Sequence, residues 1–282
     1  MKIFRKITEQ QNYSLEKKRK NIKIGFVPTM GFLHEGHLSL VDVAKRESDV
    51  VVVSIFVNPT QFGEGEDYNE YPRDESRDLE LLREKKVDAV FIPEVREMYP
   101  EGFKTFCKVE ELSDKLCGKT RPNHFRGVTT VVLKLFNIVQ PDLAIFGEKD
   151  YQQYVIIKKM VRDLNLPIKI ISSPIVREED GLAKSSRNIY LTPIERKEAS
   201  VLYESLILAK KLVENGICDV EFLKEKMIEL IKTKKYPKID YIEFVDPETL
   251  EEVKEVKKTV RVLMAVWIGK ARLIDNMEIS LK

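Results

Sequence analysis

Short apolar runs rich in β-branched residues alternate with segments of helical periodicity through the first two thirds of the chain. Ile22–Val27 and Val50–Val57 have the composition of strands buried on both faces, and Leu38–Lys45 between them has the spacing of a helix. Further strands are predicted at Ala89–Ile92, Leu143–Phe146 and Ile168–Val176. This alternation predicts an α/β fold built on a parallel sheet.

The segments between these strands carry helix caps and apolar stripes. Asp74 is a predicted N-cap for a helix whose Leu79 and Leu82 face inward. Another helix is predicted over Gly127–Val139. A last one is predicted from apolar residues at helical spacing, namely Ile157, Met160, Val161 and Leu164. Helices therefore connect successive strands, as a parallel sheet requires.

A different pattern begins near Arg177. Thr192, Pro193 and Glu195 stand in the order of an N-cap, a first-turn proline and a capping-box acid, and they predict a helix that ends at Gly216. A second helix is predicted after it at about Val220–Lys232, followed by two or three strands, at Tyr241–Val245, Val260–Trp267 and in the segment after Lys270. We therefore expect two domains, residues 1–176 with the parallel sheet and residues 177–282 with a smaller α+β fold.

Composition and charge narrow the classes of function. The chain has 282 residues, with 48 Lys and Arg against 46 Asp and Glu, and its formal net charge of +2 disfavours binding to nucleic acid. Three cysteines without C-x-x-C spacing indicate neither a disulfide framework nor a zinc site. The charged N-terminus and the short apolar runs argue against a signal peptide and a membrane span, so we expect a cytoplasmic location.

Candidate chemistry is concentrated in the decapeptide Pro28–His37, which leaves the first predicted strand and enters the first predicted helix. It contains two glycines and two of the three histidines of the chain, His34 and His37. Unpaired N–H groups and the positive dipole end make a helix N-terminus a favourable place for phosphate. Both histidines can donate hydrogen bonds to a polyphosphate there, with His37 better placed at the helix entrance. The alternative, a turn with two surface histidines, accounts less well for the position directly after a strand.

Polar residues also follow the second strand. Asn58, Gln61 and Phe62 come after Val50–Val57, at the sheet edge where ligands bind in open α/β folds. An amide there can bind a carboxylate or a hydroxyl group. The pair Asn58-Pro59 is equally compatible with an ordinary turn.

A third polar group follows Leu143–Phe146. Lys149 can neutralise phosphate charge as a point cation, whereas Asp150 is also compatible with a helix N-cap. Gln153 shares the inward stripe of the next helix, and an inward polar side chain needs a hydrogen-bond partner. A substrate is one candidate for that partner.

Four strings of residues resemble known motifs. The H-x-G-H element resembles that of the nucleotidylyltransferase superfamily and of class I aminoacyl-tRNA synthetases, and the wider string P-T-M-G-x-L-H-x-G-H is more similar to the pantothenate synthetase (pantoate–β-alanine ligase) family. The segments Phe56–Phe62, Phe146–Gln153 and Lys184–Asn188 resemble the same family. The resemblance covers essentially the whole chain. It implies a Rossmann-like domain that binds nucleotide and pantoate, followed by a smaller C-terminal α+β domain that carries the Lys184–Arg187 loop.

The resemblance implies three sets of site residues. Its ATP set comprises Met30, Gly31, Phe32, Leu33, His34, Glu35, Gly36, His37, Gly147, Glu148, Lys149, Asp150, Val176, Lys184, Ser185, Ser186 and Arg187. Its catalytic set is His37, His34 and Lys149, and its pantoate and β-alanine set is Gln61 and Gln153, with Asp150 near the metal. Lys184–Arg187 resembles the K-M-S-K-S loop that closes over the triphosphate. Because its order is Lys-Ser-Ser-Arg, the phosphate role is assigned to Ser185, Ser186 and Arg187 before the side chain of Lys184.

The implied activity is the ATP-dependent condensation of (R)-pantoate with β-alanine through a pantoyl adenylate, with release of pyrophosphate and AMP. The resemblance also implies Mg²⁺ held mostly by ATP, and a homodimer.

One alternative function is that of another H-x-G-H nucleotidylyltransferase that acts on a phosphate substrate. Gln61 and Gln153 argue against it, because a phosphate substrate calls for more cationic groups. A second alternative is a nucleotide-sensing or RNA-binding protein without catalysis. The intact histidine pair, the serine loop and the near-neutral charge argue against that one. The roles of His124 and Arg126 stay open.

Overall fold

The structure, a computed structural model, describes residues 1–281 and divides into two compact units. The first unit consists of Met1–Glu148 and Gln153–Pro174, and the second consists of Lys149–Gln152 and the chain from Ile175 onward. The short segment Lys149–Gln152 therefore groups with the C-terminal part of the chain. No helix among residues 1–281 is both long enough and apolar enough to cross a membrane.

Six strands of the described chain form a fully parallel sheet in the order β1-β4-β3-β2-β5-β6. Their bounds are β1 Lys2–Phe4, β2 Ile24–Thr29, β3 Val50–Ile55, β4 Ala89–Phe91, β5 Leu143–Gly147 and β6 Lys169–Ser173. The chain runs from β2 outward to β3 and β4 and then returns to the other side of β2 to form β5. Ligands bind beyond the carboxyl ends of strands at such a switch point.

Helices cover the sheet because each carries an apolar face. Val41 and Ala44 of α2 and Leu82 of α3 are at most 1% exposed and pack against Val53 and Leu143 of the strands. Burial of such faces is the main stabilising contribution. The helix bounds in this part of the chain are α1 Ile7–Arg19, α2 Glu35–Glu47, α3 Glu75–Glu84, α4 Val95–Met98, α5 Cys117–Thr120, α6 His124–Val139 and α7 Tyr151–Asp163. Short 3₁₀ turns lie at Pro59–Gln61, Leu112–Asp114 and Glu148–Asp150.

The second unit packs helices on one face of a three-stranded antiparallel sheet in the order β7-β8-β9. Its elements are a 3₁₀ turn at Ser186–Tyr190, α8 Pro193–Glu198, α9 Val201–Glu214, α10 Val220–Lys232, β7 Pro237–Val245, β8 Thr259–Ile268 and β9 Ala271–Ser280. Leu206, Leu223, Phe244 and Val262 are fully buried in its own hydrophobic core. The α/β sheet and the smaller α+β unit confirm the predicted fold class.

Several local predictions are confirmed. The Asp74 carboxylate accepts a hydrogen bond from the Arg77 N–H at 3.1 Å and caps α3. Thr192 and Glu195 form the predicted capping box with Pro193 in the first turn of α8. The bounds of α10 are those predicted.

Other local predictions are wrong. Leu164 is 47% exposed and lies beyond the end of α7, which stops one residue earlier at Asp163. The strand predicted to reach Val176 ends at Ser173, because Val176 pairs instead with the backbone N–H of Lys184. The helix predicted from Thr192 to Gly216 is two helices that break between Glu198 and Val201. The sequence patterns also did not predict β1, a three-residue edge strand.

Candidate active site

The loop after β2 is held close to the neighbouring strand. The Thr29 hydroxyl donates to the Ser54 carbonyl oxygen at 2.7 Å and accepts from the Gly31 N–H at 3.2 Å. Gly31 has φ of +83°, and a Cβ there would lie 2.9 Å from Ile55 Cγ2. Both the backbone conformation and the lack of space therefore require glycine at this position.

A buried carboxylate on α3 holds the next two residues of the loop. Asp78, 1% exposed, accepts from the N–H groups of Phe32 and Leu33, each at 2.7 Å. Its neighbour Arg77 donates to the Leu33 carbonyl oxygen at 2.9 Å and stacks over the Phe32 ring. Burial raises the pKa of the Asp78 carboxyl above its usual range, although the two N–H groups and the Arg77 charge oppose that shift. Neither α3 residue was expected from the sequence to support the loop.

His34 and His37 lie at the start of α2 with their ring centroids 4.1 Å apart. His34 is the N-cap, and its Nδ1 accepts from the Gly36 N–H at 3.1 Å. The Nδ1 of His37 accepts from the His34 N–H at 3.3 Å. Because each Nδ1 is an acceptor, each neutral ring carries its proton on Nε2. Nε2–H is therefore the donor group of each ring, and phosphate binding by the two rings stays a prediction.

The N–H groups in the first turn of α2 are partly used within the protein. The His34 side chain accepts a hydrogen bond from the Gly36 N–H. The His34 carbonyl oxygen accepts from the N–H groups of His37 and Leu38. These N–H groups were predicted from the sequence to be unpaired donors to phosphate. The imidazole nitrogen takes the capping role that a serine or aspartate usually has.

Gln61 lies in a buried turn organised by Asn58. The Asn58 amide, 1% exposed, accepts from the Tyr99 hydroxyl at 2.8 Å and donates to Gln61 Oε1 at 3.1 Å and to the Gly127 carbonyl oxygen at 3.2 Å. Gln61 Nε2 donates to the Met30 sulfur at 3.2 Å. The structure therefore brings the predicted pantoate residue Gln61 into contact with a predicted ATP residue. Asn58 does cap a turn, and it also fixes the orientation of the Gln61 amide.

A charged network holds the backbone of the same turn. The Gln61 carbonyl oxygen lies 2.7 Å from His124 Nδ1, and Arg121 Nη1 lies 3.1 Å from His124 Nε2. Arg121 also binds both carboxylate oxygens of Glu66, at 2.6 and 2.7 Å. Burial acts to raise the pKa of Glu66, but the hydrogen bonds and charge of Arg121 outweigh it, so the pKa falls to about 2. Arg126, also left open by the sequence, stacks over the Phe106 ring at 3.9 Å.

The segment after β5 carries the next predicted site residues. Gly147 ends β5, and Glu148 accepts from the Ser172 hydroxyl at 2.9 Å. In the second unit, the Lys149 ammonium lies 3.6 Å from the exposed Asp150 carboxylate. Gln153 is only half-buried, so the prediction that it faces inward on α7 holds only in part.

The Lys184–Arg187 loop follows a tight hairpin in the second unit. Its base is the hydrogen bond from the Lys184 N–H to the Val176 carbonyl oxygen at 3.0 Å. Lys184 Nζ lies 3.2 Å from a Glu178 carboxylate oxygen, which partly neutralises its charge. Ser185 Oγ accepts from the Arg187 N–H at 3.3 Å and caps a 3₁₀ turn. The phosphate role assigned first to Ser185, Ser186 and Arg187 stays a prediction.

The comparisons with known proteins agree with one another. The pantoate-beta-alanine ligase family profile matches residues 2–278. A curated protein from Caldicellulosiruptor bescii named pantothenate synthetase is 54% identical over 282 residues, covering all of both chains. The crystal structure of pantothenate synthetase from Thermus thermophilus superposes with a TM-score of 0.92 at 46% identity, covering 98% of this chain and 99% of that one. The Francisella tularensis pantoate-beta-alanine ligase, complexed with beta-gamma ATP and beta-alanine, superposes with a TM-score of 0.82 at 39% identity, covering 98% and 97% of the two chains.

Proposed function

The chain belongs to the pantoate–β-alanine ligase family, and from that premise we propose how its own residues divide the work of the reaction. Members of this family are ligases that form pantothenate in an ATP-dependent reaction. Transfer of a nucleotidyl group to a phosphate substrate is not favoured by these relatives.

The reaction has to overcome the poor reactivity of a carboxylate toward an amine, because a carboxylate is negatively charged and has no good leaving group. We propose that a pantoate carboxylate oxygen attacks the α-phosphorus of ATP, so that pyrophosphate leaves and pantoyl adenylate forms. The amine of β-alanine then attacks the acyl carbon, AMP leaves, and the ammonium nitrogen loses a proton. Alignment of bound reactants can lower such a barrier by roughly 7–11 kcal/mol. No nucleophile from the protein is needed.

The observation that carries the proposal is the common orientation of the histidine pair. Both Nδ1 atoms accept backbone N–H groups, so the Nε2–H groups of His34 and His37 are the donors for phosphate oxygens. His37 acts as proton donor or charge stabiliser while the α-phosphate is attacked. Asp78 supports this role because its two hydrogen bonds hold the loop that leads into the pair.

Lys149 and the Ser185–Arg187 segment contact the β- and γ-phosphates of ATP, which leave as pyrophosphate. A lysine ammonium and an arginine guanidinium offset charge on the β- and γ-phosphates, and the serine hydroxyls follow the leaving pyrophosphate with hydrogen bonds. Val176 would contact adenine through its backbone. The Francisella tularensis relative was solved with beta-gamma ATP and beta-alanine, which supports ATP and β-alanine as the small-molecule ligands.

Gln61 and Gln153 have the pantoate role. Gln61 is 8% exposed, and the hydrogen bonds of Asn58 and Met30 hold its amide in one orientation. A fixed neutral amide can bind the hydroxyl and carboxylate groups of pantoate without the strong cation that a phosphate requires.

Mg²⁺ fits the donor set as an ion held chiefly by ATP. Asp150 presents one exposed carboxylate, a hard oxygen ligand of the kind Mg²⁺ prefers. Residues 1–281 contain no group of three or more His, Cys, Asp or Glu residues that could hold a metal ion by themselves. Bound Mg²⁺ would offset negative charge on the phosphates, with Asp150 as a single protein ligand.

We also propose a cytoplasmic homodimer, as the family resemblance implies. Cys107, Cys117 and Cys218 are free thiols, which suits a reducing compartment. Sedimentation equilibrium should give twice the 32.8 kDa of one chain, and a single-chain mass would contradict the dimer.

ATP–pyrophosphate exchange tests the proposed first step. The purified protein is incubated with Mg²⁺, ATP and labelled pyrophosphate, with and without pantoate, and without β-alanine. We expect exchange only when pantoate is present. Exchange that ignores pantoate, or none from a folded protein that binds ATP, would contradict the adenylate step.

A further inference from the structure

A buried polar cluster lies on β9 of the second unit and includes none of the residues proposed to contact substrate. Its centre is the consecutive pair Asp275 and Asn276, each 2% exposed. Around the pair lie Arg261 of β8, which is 5% exposed, and Arg177, whose side chain is 18% exposed. Two arginines packed with a buried aspartate and a buried asparagine are unusual, because each side chain loses most of its water on folding.

Asn276 holds the backbone of Lys149. Its Nδ2 donates to the Lys149 carbonyl oxygen at 3.0 Å, and its Oδ1 accepts from Arg261 Nε at 2.8 Å. The Arg261 guanidinium in turn lies 4.0 Å from the centroid of the Tyr151 ring. Two strands therefore fix the Lys149–Tyr151 segment, one through a hydrogen bond and one through a cation–π contact.

Asp275 holds the hairpin that leads to Ser185. Its two carboxylate oxygens accept from Arg177 Nη1 and Nη2 at 2.6 and 2.9 Å. Arg177 Nη1 also donates to the Gly181 carbonyl oxygen at 2.9 Å, inside the hairpin, and the guanidinium stacks over the Tyr203 ring. A Cβ at Gly181 would lie 1.9 Å from that ring, so the hairpin can approach it only as glycine. Arg177 forms an antiparallel β-bridge with Ala183, and Ala183 lies two residues before Ser185.

The two halves of the cluster are coupled. The Asn276 backbone N–H donates to Asp275 Oδ1 at 2.7 Å, and Arg177 Nη2 lies 3.4 Å from the Asn276 carbonyl oxygen, so the Asp275–Arg177 pair is tied to the backbone that carries the Asn276 side chain. Burial raises the pKa of the Asp275 carboxyl, while the Arg177 guanidinium and the Lys149 ammonium act in the opposite direction. The Lys149 charge thus acts on the cluster that holds its backbone.

Stability alone does not account for such a cluster. Buried ion pairs usually stabilise a fold no more than apolar side chains of similar volume would, because desolvation offsets the attraction. A bidentate guanidinium–carboxylate pair does fix geometry, since two parallel hydrogen bonds allow one relative orientation.

We infer that Asp275 and Asn276 are positioning residues for adenylation, which hold the Lys149 turn and the Ser185–Arg187 loop at one fixed spacing. Asn276 acts through Lys149, and Asp275 acts through Arg177 and the hairpin. The inference rests on the phosphate roles proposed for Lys149 and Arg187.

A double-mutant cycle tests the Asn276 half. Pantoate-dependent ATP–pyrophosphate exchange is measured for wild type, Asn276→Ala, Lys149→Ala and the double variant. We expect Asn276→Ala to lower the exchange kcat by about tenfold to a hundredfold with the KM for pantoate unchanged, and to have no further effect when Lys149 is absent. Asn276→Ser, which replaces the amide with a shorter polar hydroxyl group, goes through the same cycle if the alanine variant does not fold.

A matched control separates positioning from general weakening of the sheet. Arg272 and Asp240 form an ion pair of 2.6 Å between β9 and β7, with side chains 11% and 14% exposed. Asp240→Asn removes that pair without touching the Lys149 turn, so its exchange rate should stay within about twofold of wild type.

The corresponding cycle for the Asp275 half combines Asp275→Asn with Arg187→Ala. The change in the KM for ATP of the double variant should be smaller than the sum of the changes in the two single variants.

If Lys149→Ala and Arg187→Ala exchange normally, the proposed phosphate roles are wrong and the inference falls with them. If those variants are impaired while Asn276→Ala is normal, or if the effects are additive, only the positioning role is overturned.

Discussion

At the level of single residues, the chemistry of the first unit depends on which nitrogen of each histidine carries the proton. Backbone N–H groups occupy Nδ1 of both His34 and His37, which leaves the protons on Nε2. The rings are therefore oriented before any substrate binds. Preorganised donors of this kind stabilise developing charge without further rearrangement.

Substitutions of His37 distinguish its two nitrogens. Glutamine places an amide N–H near the position of Nε2, whereas asparagine imitates Nδ1 only. We expect His37→Ala and His37→Asn to lower the single-turnover adenylation rate by about two to four orders of magnitude, and His37→Gln to retain clearly more activity. Equal losses for Gln and Asn in rapid-quench assays would contradict a role for Nε2–H.

Asp78 is expected to support the loop because both of its carboxylate oxygens accept backbone hydrogen bonds. Asp78→Asn keeps the shape of the side chain but places an NH₂ group against one of the two backbone N–H groups of Phe32 and Leu33. One N–H then has no acceptor, which costs about 1–3 kcal/mol and should lower kcat/KM for ATP by about ten- to a hundredfold. Glu84→Gln, an exposed change on the same helix, is the control and should leave kcat/KM unchanged. A wild-type value for Asp78→Asn would remove this support from the account.

At the level of elements, the close approach of α6 to the Pro59–Gln61 turn determines where Gln61 lies. A Cβ on Gly127 would lie 2.2 Å from the Thr60 carbonyl oxygen. Helix and turn can therefore touch only because position 127 is glycine.

Gly127→Ala should push this turn away from α6. We expect a higher KM for pantoate and a loss of about 1–3 kcal/mol in the free energy of unfolding, the usual cost of overpacking. In the same loop, a Cβ on Gly63 would meet only the Glu66 side chain, at 3.6 Å, so Gly63→Ala serves as control. Unchanged pantoate kinetics for Gly127→Ala would show that the turn does not position Gln61.

The Glu66–Arg121 pair predicts a pH dependence. The pKa of Glu66 is about 2 in the folded chain against an ordinary value of 4.5, so its contribution is complete above pH 4.5 and is lost as the pH falls toward 2. The shift corresponds to about 3 kcal/mol. Urea unfolding should show wild type more stable than Glu66→Gln at pH 6, with the difference shrinking between pH 4.5 and 3. A difference that stays constant over that range would contradict the pair.

Periodicity predicted those elements whose own residues determine them. The apolar run Val50–Val53 in β3 and the capping box of α8 are local features, and both were found from the sequence. The strand β1 has only three residues and depends on pairing with β4, 87 positions away at Lys2↔Ala89, so its own pattern is too short to predict it. The break between α8 and α9 likewise has no proline or glycine to mark it.

At the level of the whole molecule, the motifs identified the candidate substrate contacts but not the residues that hold them. Asp78 looks in sequence like one more polar residue of an amphipathic helix, and only the fold brings it to the backbone of Phe32, 46 residues earlier. The sequence only weakly indicates a role for Asn276, because Asp275 and Asn276 are two consecutive polar residues in a strand with many apolar positions. Supporting residues are fixed by tertiary contacts, and sequence spacing alone does not contain those.

Transfer of oxygen from pantoate to AMP tests the central claim most directly. Pantoate labelled with ¹⁸O in its carboxylate is converted with ATP and β-alanine, and the AMP is analysed by mass spectrometry. If the carboxylate oxygen attacks the α-phosphorus, one ¹⁸O atom must appear in the phosphate of AMP and none in pyrophosphate. Unlabelled AMP accompanied by labelled phosphate or pyrophosphate would contradict adenylation as the route to pantothenate.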